Sequence, residues 1–210
     1  MKTITSTLLL ILLEIGSASL AQESSVGIKG GLNLSTISTD EGSNKNLKPG
    51  FHIGVFNKIA LSESAALQPE LLFSTKGLKI NYDESPIADG ETRFNTNYID
   101  LPIYLALNVS EAFQIQFGPY VSYLISANVD TDAEVFDFFQ IDSNDELDRK
   151  NFNAFDYGVA AGVSFDLDPL VIGVNYSLGL NHVAKEDEPS RDMLGDAKNS
   201  VIQIFAGIKF

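Results

Sequence analysis

The sequence predicts an all-β fold, an eight-stranded antiparallel up-and-down transmembrane β-barrel. Apolar and polar residues alternate along eight segments of the chain, which is typical of strands with one apolar and one polar face. The number of segments is even, and each is near the roughly 9–11 residues with which a tilted strand crosses a bilayer. Short and long connections also alternate, which is the layout of an outer-membrane barrel with short periplasmic turns and long extracellular loops.

The eight segments and their connections can be read directly from the chain. The apolar series begin at Val26, Phe51, Leu67, Ile99, Phe113, Phe155, Ile172 and Ile202. The short connections lie near residues 62–64, 110–112 and 166–169. The long connections lie near residues 36–49, 77–96, 129–153 and 181–199. A soluble sandwich or a lipocalin-like barrel would also alternate, but it has no reason to place its long connections at one end.

One short turn sets a strand register and brings two prolines together. If Val109 faces Phe113, then Pro102 faces Tyr120 and lies next to Pro119. The register keeps polar positions opposite polar positions, as a strand pair requires. Because proline cannot donate to the ladder, we predict one local bulge or break at this point.

Composition narrows the classes of function. The chain has 210 residues, which fits a single domain. Its 28 acidic residues outnumber its 14 basic residues, so the formal net charge is −14. Such a chain lacks the basic surface that a polyphosphate needs, and we expect no nucleic-acid partner. The absence of cysteine excludes a disulfide framework, a thiolate metal site and a cysteine nucleophile, and no motif indicates a cofactor.

The amino terminus has the pattern of a secretory signal. A positively charged start precedes an apolar run at residues 8–13, and the small residues Ser19 and Ala21 occupy the −3 and −1 positions of a cleavage site. The run is far shorter than the roughly 20 residues of a membrane-spanning helix. We expect a signal peptide at residues 1–21 and an outer-membrane barrel domain at residues 22–210. The alternative interpretation is a buried amino-terminal helix.

The polar faces of the strands predict the contents of the lumen. Lipid around the barrel requires the apolar faces to point outward, and eight strands leave an interior just wide enough to be filled by side chains. Buried charges of both signs are expected to pair, because an unpaired buried charge is costly. We predict a plugged lumen with ion pairs among Lys29, Lys58, Glu70, Lys76, Asp100 and Lys209. A narrow conduction path is the alternative for the same charges.

Aromatic residues lie near many segment ends, as in the girdles at the two interfaces of a membrane barrel. Residues of this kind are Phe51, Tyr98, Phe113, Phe155 and Phe165. A general preference of aromatic residues for strands is the alternative. The chain ends on Phe210, in phase with the outward positions of the last segment. A terminal aromatic residue of this kind resembles the signal by which outer-membrane barrels are recognised for assembly; the alternative is a last strand that merely ends there.

Five motifs together resemble a known family. They are VGIKGGLNL (26–34), PGFHIG (49–54), LQPELLFSTKG (67–77), YIDLP (98–102) and GPYVSYL (118–124). In this order and spacing they are similar to the PorT-type outer-membrane β-barrel family of Bacteroidetes, often labelled "porin family", over nearly all of the mature chain. The resemblance implies a barrel in the cell outer membrane and supplies no catalytic motif. One member type belongs to a secretion machinery, a role that fold alone does not transfer.

The third long connection is the most acidic stretch, since residues 129–153 carry −6 of the net charge. Hard cations prefer several oxygen ligands. The candidate cation or partner site consists of Asp142, Asn144, Asp145, Glu146 and Asp148. The central glycine and the spaced terminal glutamate of a helix–loop–helix calcium site are missing. A solvated acidic loop is therefore the alternative, and the metal, if any, stays unknown.

These observations predict a small outer-membrane barrel that is structural or binds a ligand or partner through its acidic extracellular loops. A narrow pore, or a component of a transport or secretion machinery, is the alternative. A hydrolase or acyltransferase would need a base and a nucleophile that converge, but His52 and His182 have different phases and no GxSxG or HExxH motif is present. We therefore expect no enzyme. The expected partners are outer-membrane lipid, the barrel assembly machinery and an extracellular or periplasmic protein, and we expect a monomer.

Overall fold

The structure is a computed structural model. It describes residues 24–38, 45–85, 88–135, 139–146, 153–183 and 198–210. The backbone alone is described at residues 37–38, 45–46, 78–85, 88–94, 129–135 and 139–146. The predicted signal peptide at residues 1–21 lies outside the described residues. No helix in the described chain is long and apolar enough to span a membrane.

Ten strands make up the described fold. They are β1 (Ser24–Ser38), β2 (Lys45–Asn46), β3 (Lys48–Ser62), β4 (Ala65–Ser85), β5 (Ala88–Asn108), β6 (Phe113–Val135), β7 (Phe139–Glu146), β8 (Phe155–Leu167), β9 (Leu170–Gly179) and β10 (Lys198–Lys209). Eight of them form the closed antiparallel ring β1–β3–β4–β5–β6–β8–β9–β10, in which β10 pairs back to β1. The strands β2 and β7 lie outside this ring and pair with β4 and β6. The predicted eight-stranded barrel is confirmed.

The two faces of the barrel wall differ in polarity. Outward positions carry large apolar side chains such as Leu32, Ile53 and Val159, which are 62%, 59% and 51% exposed. Inward positions carry buried polar side chains such as Asn33 and Asn175. This arrangement is the reverse of a soluble barrel, and it suits a wall that is surrounded by lipid and closed around a polar interior.

Glycines on the inner face make room for aromatic rings in the narrow lumen. Tyr120 in β6 lies directly opposite Gly158 in β8. A Cβ atom at Gly158 would lie 2.8 Å from the Tyr120 ring and 2.0 Å from the carbonyl oxygen of Leu178. Phe56 has the same relation to Gly27. These cross-strand pairs let large rings lie against the wall and help to fill the interior.

The irregularity predicted beside Pro102 and Pro119 is a break in the ladder and not a bulge. The β5–β6 pairing stops after Pro102 opposite Tyr120 and resumes at Leu105 opposite Phe117 in the same register. The register shift recorded for this pair lies further out, between Asn97 and Tyr98. In an antiparallel sheet the N–H group of a residue bonds to one neighbouring strand only, so a proline removes one ladder bond without displacing the strand.

Two hairpins extend beyond the strand ends that the sequence predicts. The strands β4 and β5 pair as far as Ser85 and Ala88, and β6 continues to Val135 and pairs with β7. Much of 77–96 and 129–153 is therefore strand, where the alternation alone indicates loops. The polar composition that ends the bilayer-spanning pattern does not prevent backbone pairing in water. These hairpins rise at the end of the barrel with the long connections, here named the outer end, which is extracellular in this architecture.

Candidate functional site

A buried ion pair joins β1 and β4 inside the lumen. The Nζ atom of Lys29 in β1 lies 2.9 and 2.8 Å from the two carboxylate oxygens of Glu70 in β4. Gln68 donates a second hydrogen bond to Glu70, and the Lys29 ammonium lies 3.8 Å from the centroid of the Phe205 ring. The carboxylate and the ammonium therefore exchange water for donors, acceptors and an aromatic face, which offsets the cost of burying both charges.

A second ion pair lies nearer the outer end. Lys76 in β4 donates to the Oδ1 atom of Asp100 in β5 at 2.8 Å and to the hydroxyl of Ser122 in β6 at 3.2 Å. The rings of Tyr98 and Tyr120 lie 4.8 and 5.4 Å from the same ammonium. Lys76 thus ties three adjacent strands together from inside the barrel.

A third cluster closes the inner end of the lumen. Asp166 in β8 accepts from Lys58 in β3 at 2.9 Å and from Lys209 in β10, and Gln114 donates to it at 3.2 Å. Sequence reasoning places Asp166 in a turn and misses it as a partner. The sequence does contain evidence for this role, because Asp166 and Asp156 are an even number of residues apart and therefore lie on the same, inward face of the strand. All six residues predicted to form lumen ion pairs lie in these three clusters: Lys29, Lys58, Glu70, Lys76, Asp100 and Lys209.

Asp156 is a further buried carboxylate that sequence reasoning does not single out. Its Oδ2 atom accepts from Asn199 at 2.9 Å and from the Tyr120 hydroxyl at 3.3 Å. Among the described residues its Oδ1 atom has no hydrogen-bond partner. The residue lies at the outer end of β8, where it adds a negative charge next to the Lys76 cluster.

The middle of the lumen is filled by neutral polar side chains. Gln116 in β6 donates to Asn175 in β9, which in turn donates to the hydroxyl of Tyr104 in β5 at 3.3 Å. A cavity of about 10 Å³ between Tyr104, Lys76 and Gln203 is large enough for one water molecule. Side chains from opposite walls therefore meet across the axis.

The two histidines occupy different surroundings. His52 is buried at the outer end of β3, and its Nδ1 atom lies 2.8 Å from the Oδ1 atom of Asn33. The amide oxygen can only accept, so Nδ1 carries the proton. His182 follows β9, and its backbone carbonyl accepts from Asn153 at 2.8 Å. His52 thus donates to Asn33, and the Asn33 amide in turn donates to the Ser74 hydroxyl and to the backbone carbonyl of Thr75.

Aromatic pairs mark both ends of the outward face. Ring centroids lie 5.2 Å apart for Tyr123 and Phe155 near the outer end, and 5.3 Å apart for Phe113 and Phe165 near the inner end. Phe51 also pairs outward, with Phe73, at 5.8 Å. These positions agree with two girdles. The assignment of Tyr98 to a girdle is wrong, because its side chain is buried in the lumen over Lys76; the ends of the alternating segment mislead because β5 continues outward past it.

The carboxy-terminal residue lies on the lipid side of the last strand. Phe210 is 77% exposed, and its backbone N–H donates to the carbonyl of Val26 at 2.8 Å. The β1–β10 pairing that closes the ring therefore continues to the end of the chain. Its role as an assembly signal stays a prediction.

The candidate cation or partner site lies partly in a strand instead of a loop. Asp142, Asn144, Asp145 and Glu146 belong to β7, and the register places Asp142 opposite Asp132 in β6. Asp148 lies outside the described residues. No group of three or more acidic or histidine residues able to hold a metal is found in the part of the chain that the structure describes. Cation binding by this hairpin stays a prediction.

The closed ring of eight strands, its apolar outer face and its charge-paired lumen define an outer-membrane β-barrel. A family model described as "Outer membrane protein beta-barrel domain" matches residues 20–185, and the chain belongs to this family. The protein is located in the outer membrane.

Several solved barrels are similar to this chain at low sequence identity. Ail, the attachment invasion locus protein of Yersinia pestis, is 15% identical, with 90% of this chain and 99% of that chain covered and a TM-score of 0.43. Neisserial surface protein A is 14% identical, with 90% and 100% covered and a TM-score of 0.48. OprG of Pseudomonas aeruginosa is 15% identical, with 90% and 97% covered and a TM-score of 0.39. No curated protein matches the chain.

Proposed function

We propose that this protein is a membrane anchor that presents an acidic extracellular hairpin to a basic partner protein. The observation that carries the proposal is the β6–β7 hairpin, which continues past the last pair between β6 and β8, Tyr123 with Phe155. Its two paired stretches, residues 128–135 and 139–146, contain six carboxylate residues and no Lys or Arg. A surface of one sign raises the local concentration of partners of the other sign.

The strand register places carboxylate residues of the hairpin opposite one another, which favours the binding of cationic groups. Asp132 lies opposite Asp142 in β7 and opposite Glu91 in β5. Like charges directly opposite one another destabilise a sheet. Lys or Arg side chains of a partner would neutralise these carboxylates. Relief of the repulsion between them would then contribute to the free energy of binding.

The lumen supports a binding role over conduction. Side chains from β5, β6 and β9 are hydrogen bonded to one another across the middle of the barrel, through Tyr104, Gln116 and Asn175. An ion would have to break these contacts and the neighbouring ion pairs to pass. In planar bilayers we expect no steady conductance steps, and reproducible steps would contradict this part of the proposal.

A peptide-binding assay tests the proposed function. The probe is an eight-residue peptide of alternating Lys and Val, and the full chain is held in phosphatidylcholine nanodiscs so that the lipid adds no net charge. Replacement of the six hairpin carboxylates by their amides should weaken binding by about tenfold or more at low salt, because the local attraction is lost. The changed residues are Asp130, Asp132, Glu134, Asp142, Asp145 and Glu146.

A matched control variant distinguishes an effect of the hairpin carboxylates from an effect of the total charge of the protein. It carries the same six-charge reduction in other long connections, at Asp40, Glu41, Asp83, Glu84, Asp187 and Glu188. We expect the control to lose clearly less affinity than the hairpin variant, because its changes leave all six carboxylates of the two paired stretches in place. Equal loss in both variants, or no binding by the unchanged protein, would contradict a hairpin site.

The proposal assigns no catalytic role to the chain. Lipid and peptide turnover assays on the unchanged protein and on the variants His52→Ala and His182→Ala test this point, and turnover that either variant abolishes would contradict it. The finer assignment to the PorT-type barrels of Bacteroidetes rests on motifs such as LQPELLFSTKG at residues 67–77. It brings no secretion role with it.

A further inference from the structure

The outer edge of β7 differs from the edges of the barrel strands. In the ring each strand pairs on both sides. The eight residues of β7, Phe139–Glu146, pair with β6 on one side, and no other described strand pairs with them. Eight extended residues present roughly 26 Å of backbone edge, with N–H and C=O groups on alternate residues directed away from β6.

This edge lacks most of the devices with which proteins usually block strand addition, and the one that it has is acidic charge. The usual devices are charged side chains, above all lysine, and also proline, a bulge or a very short strand. β7 contains no Lys and no Pro, and its register with β6 is uninterrupted from Phe139 to Glu146. The charges it does carry are all negative, at Asp142, Asp145 and Glu146.

We infer that the edge of β7 is a docking site for an extended, basic segment of a partner protein, which adds to the sheet as a further strand. The inference rests on the proposed function and specifies how the partner is held. Backbone hydrogen bonds along the edge supply affinity, as in other cases of strand addition. The carboxylates select the occupant.

The same charges exclude the most abundant competitor, a second copy of this chain. Two β7 edges brought together would gather six carboxylate residues on two adjacent strands, where like charges repel one another. A basic strand would instead be attracted by the β7 carboxylates. Specificity here comes from repulsion of the wrong partner as well as from attraction of the right one.

The experiment compares two peptides of equal charge. One is the alternating Lys–Val octapeptide, and the other has the same sequence with every second backbone nitrogen methylated, which removes donors on one edge. The full chain in phosphatidylcholine nanodiscs should bind the methylated peptide about tenfold or more weakly, because several backbone hydrogen bonds are lost. Equal affinity for both peptides would overturn the inference.

A variant tests the selection by charge. Asp142→Asn, Asp145→Asn and Glu146→Gln together should weaken binding of the unmethylated peptide and should increase self-association in detergent, measured by sedimentation. The control makes the same charge change at Glu186, Asp187 and Glu188 and should leave both properties unchanged. A triple β7 variant that remains as monomeric as the unchanged protein would contradict the exclusion of a second copy.

The outcomes separate this inference from the proposed function. If both peptides bind equally and the hairpin variants lose both, the acidic hairpin binds basic partners but not by strand addition. If neither peptide binds the unchanged protein, the proposed function fails together with the inference.

Discussion

Lys29 in β1 and Glu70 in β4 form a two-oxygen ion pair although β3 lies between their strands. Their side chains are 1% and 0% exposed. Strands in a barrel are tilted and staggered, so that residues of non-adjacent strands meet across a narrow lumen. The pair therefore joins β1 to β4 across the intervening strand β3, on the inner side of the curved wall.

Removal of one member of this pair should be strongly destabilising. Glu70→Gln leaves the Lys29 ammonium buried without its counter-charge, and the expected loss in the free energy of unfolding is about 3–5 kcal/mol. The double variant Lys29→Met/Glu70→Leu should recover most of that loss, because apolar replacement of a buried pair is often neutral. Urea titration measures the free energy of unfolding of both variants, with the folded barrel followed on gels as the band whose migration changes when the sample is boiled. A Glu70→Gln barrel as stable as the unchanged protein would show that the pair contributes nothing.

Asp166 and Asp168 provide an internal comparison at the inner end, since both contact Lys209. The side chain of Asp166 is 11% exposed and also pairs with Lys58, whereas that of Asp168 is 89% exposed. Asp166→Asn should lower the free energy of unfolding by about 1–3 kcal/mol, because two half-buried lysines lose their partner. Asp168→Asn should have little effect, as for most surface pairs. Equal effects in the urea titration would argue against the Asp166 bridge.

Gly158 should not accept a side chain. In Gly158→Ala the new Cβ atom meets the Leu178 carbonyl and the Tyr120 ring, and such overpacking costs about 1–3 kcal/mol or more. Gly30→Ala is the matched control, because its Cβ atom would have its nearest contact at 3.3 Å, with the backbone oxygen of His52. Folding yield into detergent, followed by gel mobility, should fall for Gly158→Ala and stay near normal for Gly30→Ala. The reverse order would contradict the glycine–aromatic packing.

The outward face should respond to charge according to depth. Ile103 lies near the middle of the outward positions of β5, and Val109 follows the inner end of that strand. Ile103→Lys should cost about 2–4 kcal/mol and Val109→Lys about 0–1 kcal/mol, as for lipid-facing positions at the midplane and at the interface. Unfolding in phosphatidylcholine bilayers measures the difference. Similar small costs at both sites would mean that β5 does not face lipid.

The alternation of residues is sufficient to predict the strands, their faces and one register, because side chains in a strand have a period of two whatever surrounds them. It predicts that Lys29, Lys76 and Asp100 point into the lumen. It does not predict their partners, because the tilt and stagger of a closed barrel decide which strands meet across the axis. Asp166 is an example, since its partner Lys58 is 108 residues away in the chain.

Alternation predicts the faces of the strands better than it predicts where the strands end. Tyr98 lies at the end of an alternating segment, yet β5 continues past it and its ring packs over Lys76 inside the barrel. The β4–β5 and β6–β7 pairs likewise continue where the bilayer-spanning pattern stops. Backbone hydrogen bonds form in water as well as in lipid, so hydrophobicity marks where the membrane ends and not where the sheet ends.

The class of fold, the polarity of the two faces and the location of the acidic charge follow from the amino-acid sequence alone, since they depend on local periodicity and composition. The fold itself shows that the lumen charges form separate clusters, that Asp166 belongs to one and that Asp156 lies beside another. It also shows that the acidic stretch is a paired hairpin in which β7 pairs with no described strand other than β6. The lumen clusters depend on closure of the ring, which brings together residues that are distant in the chain and sets the stagger between them. The hairpin depends on backbone pairing between β6 and β7, which hydrophobic alternation does not reveal.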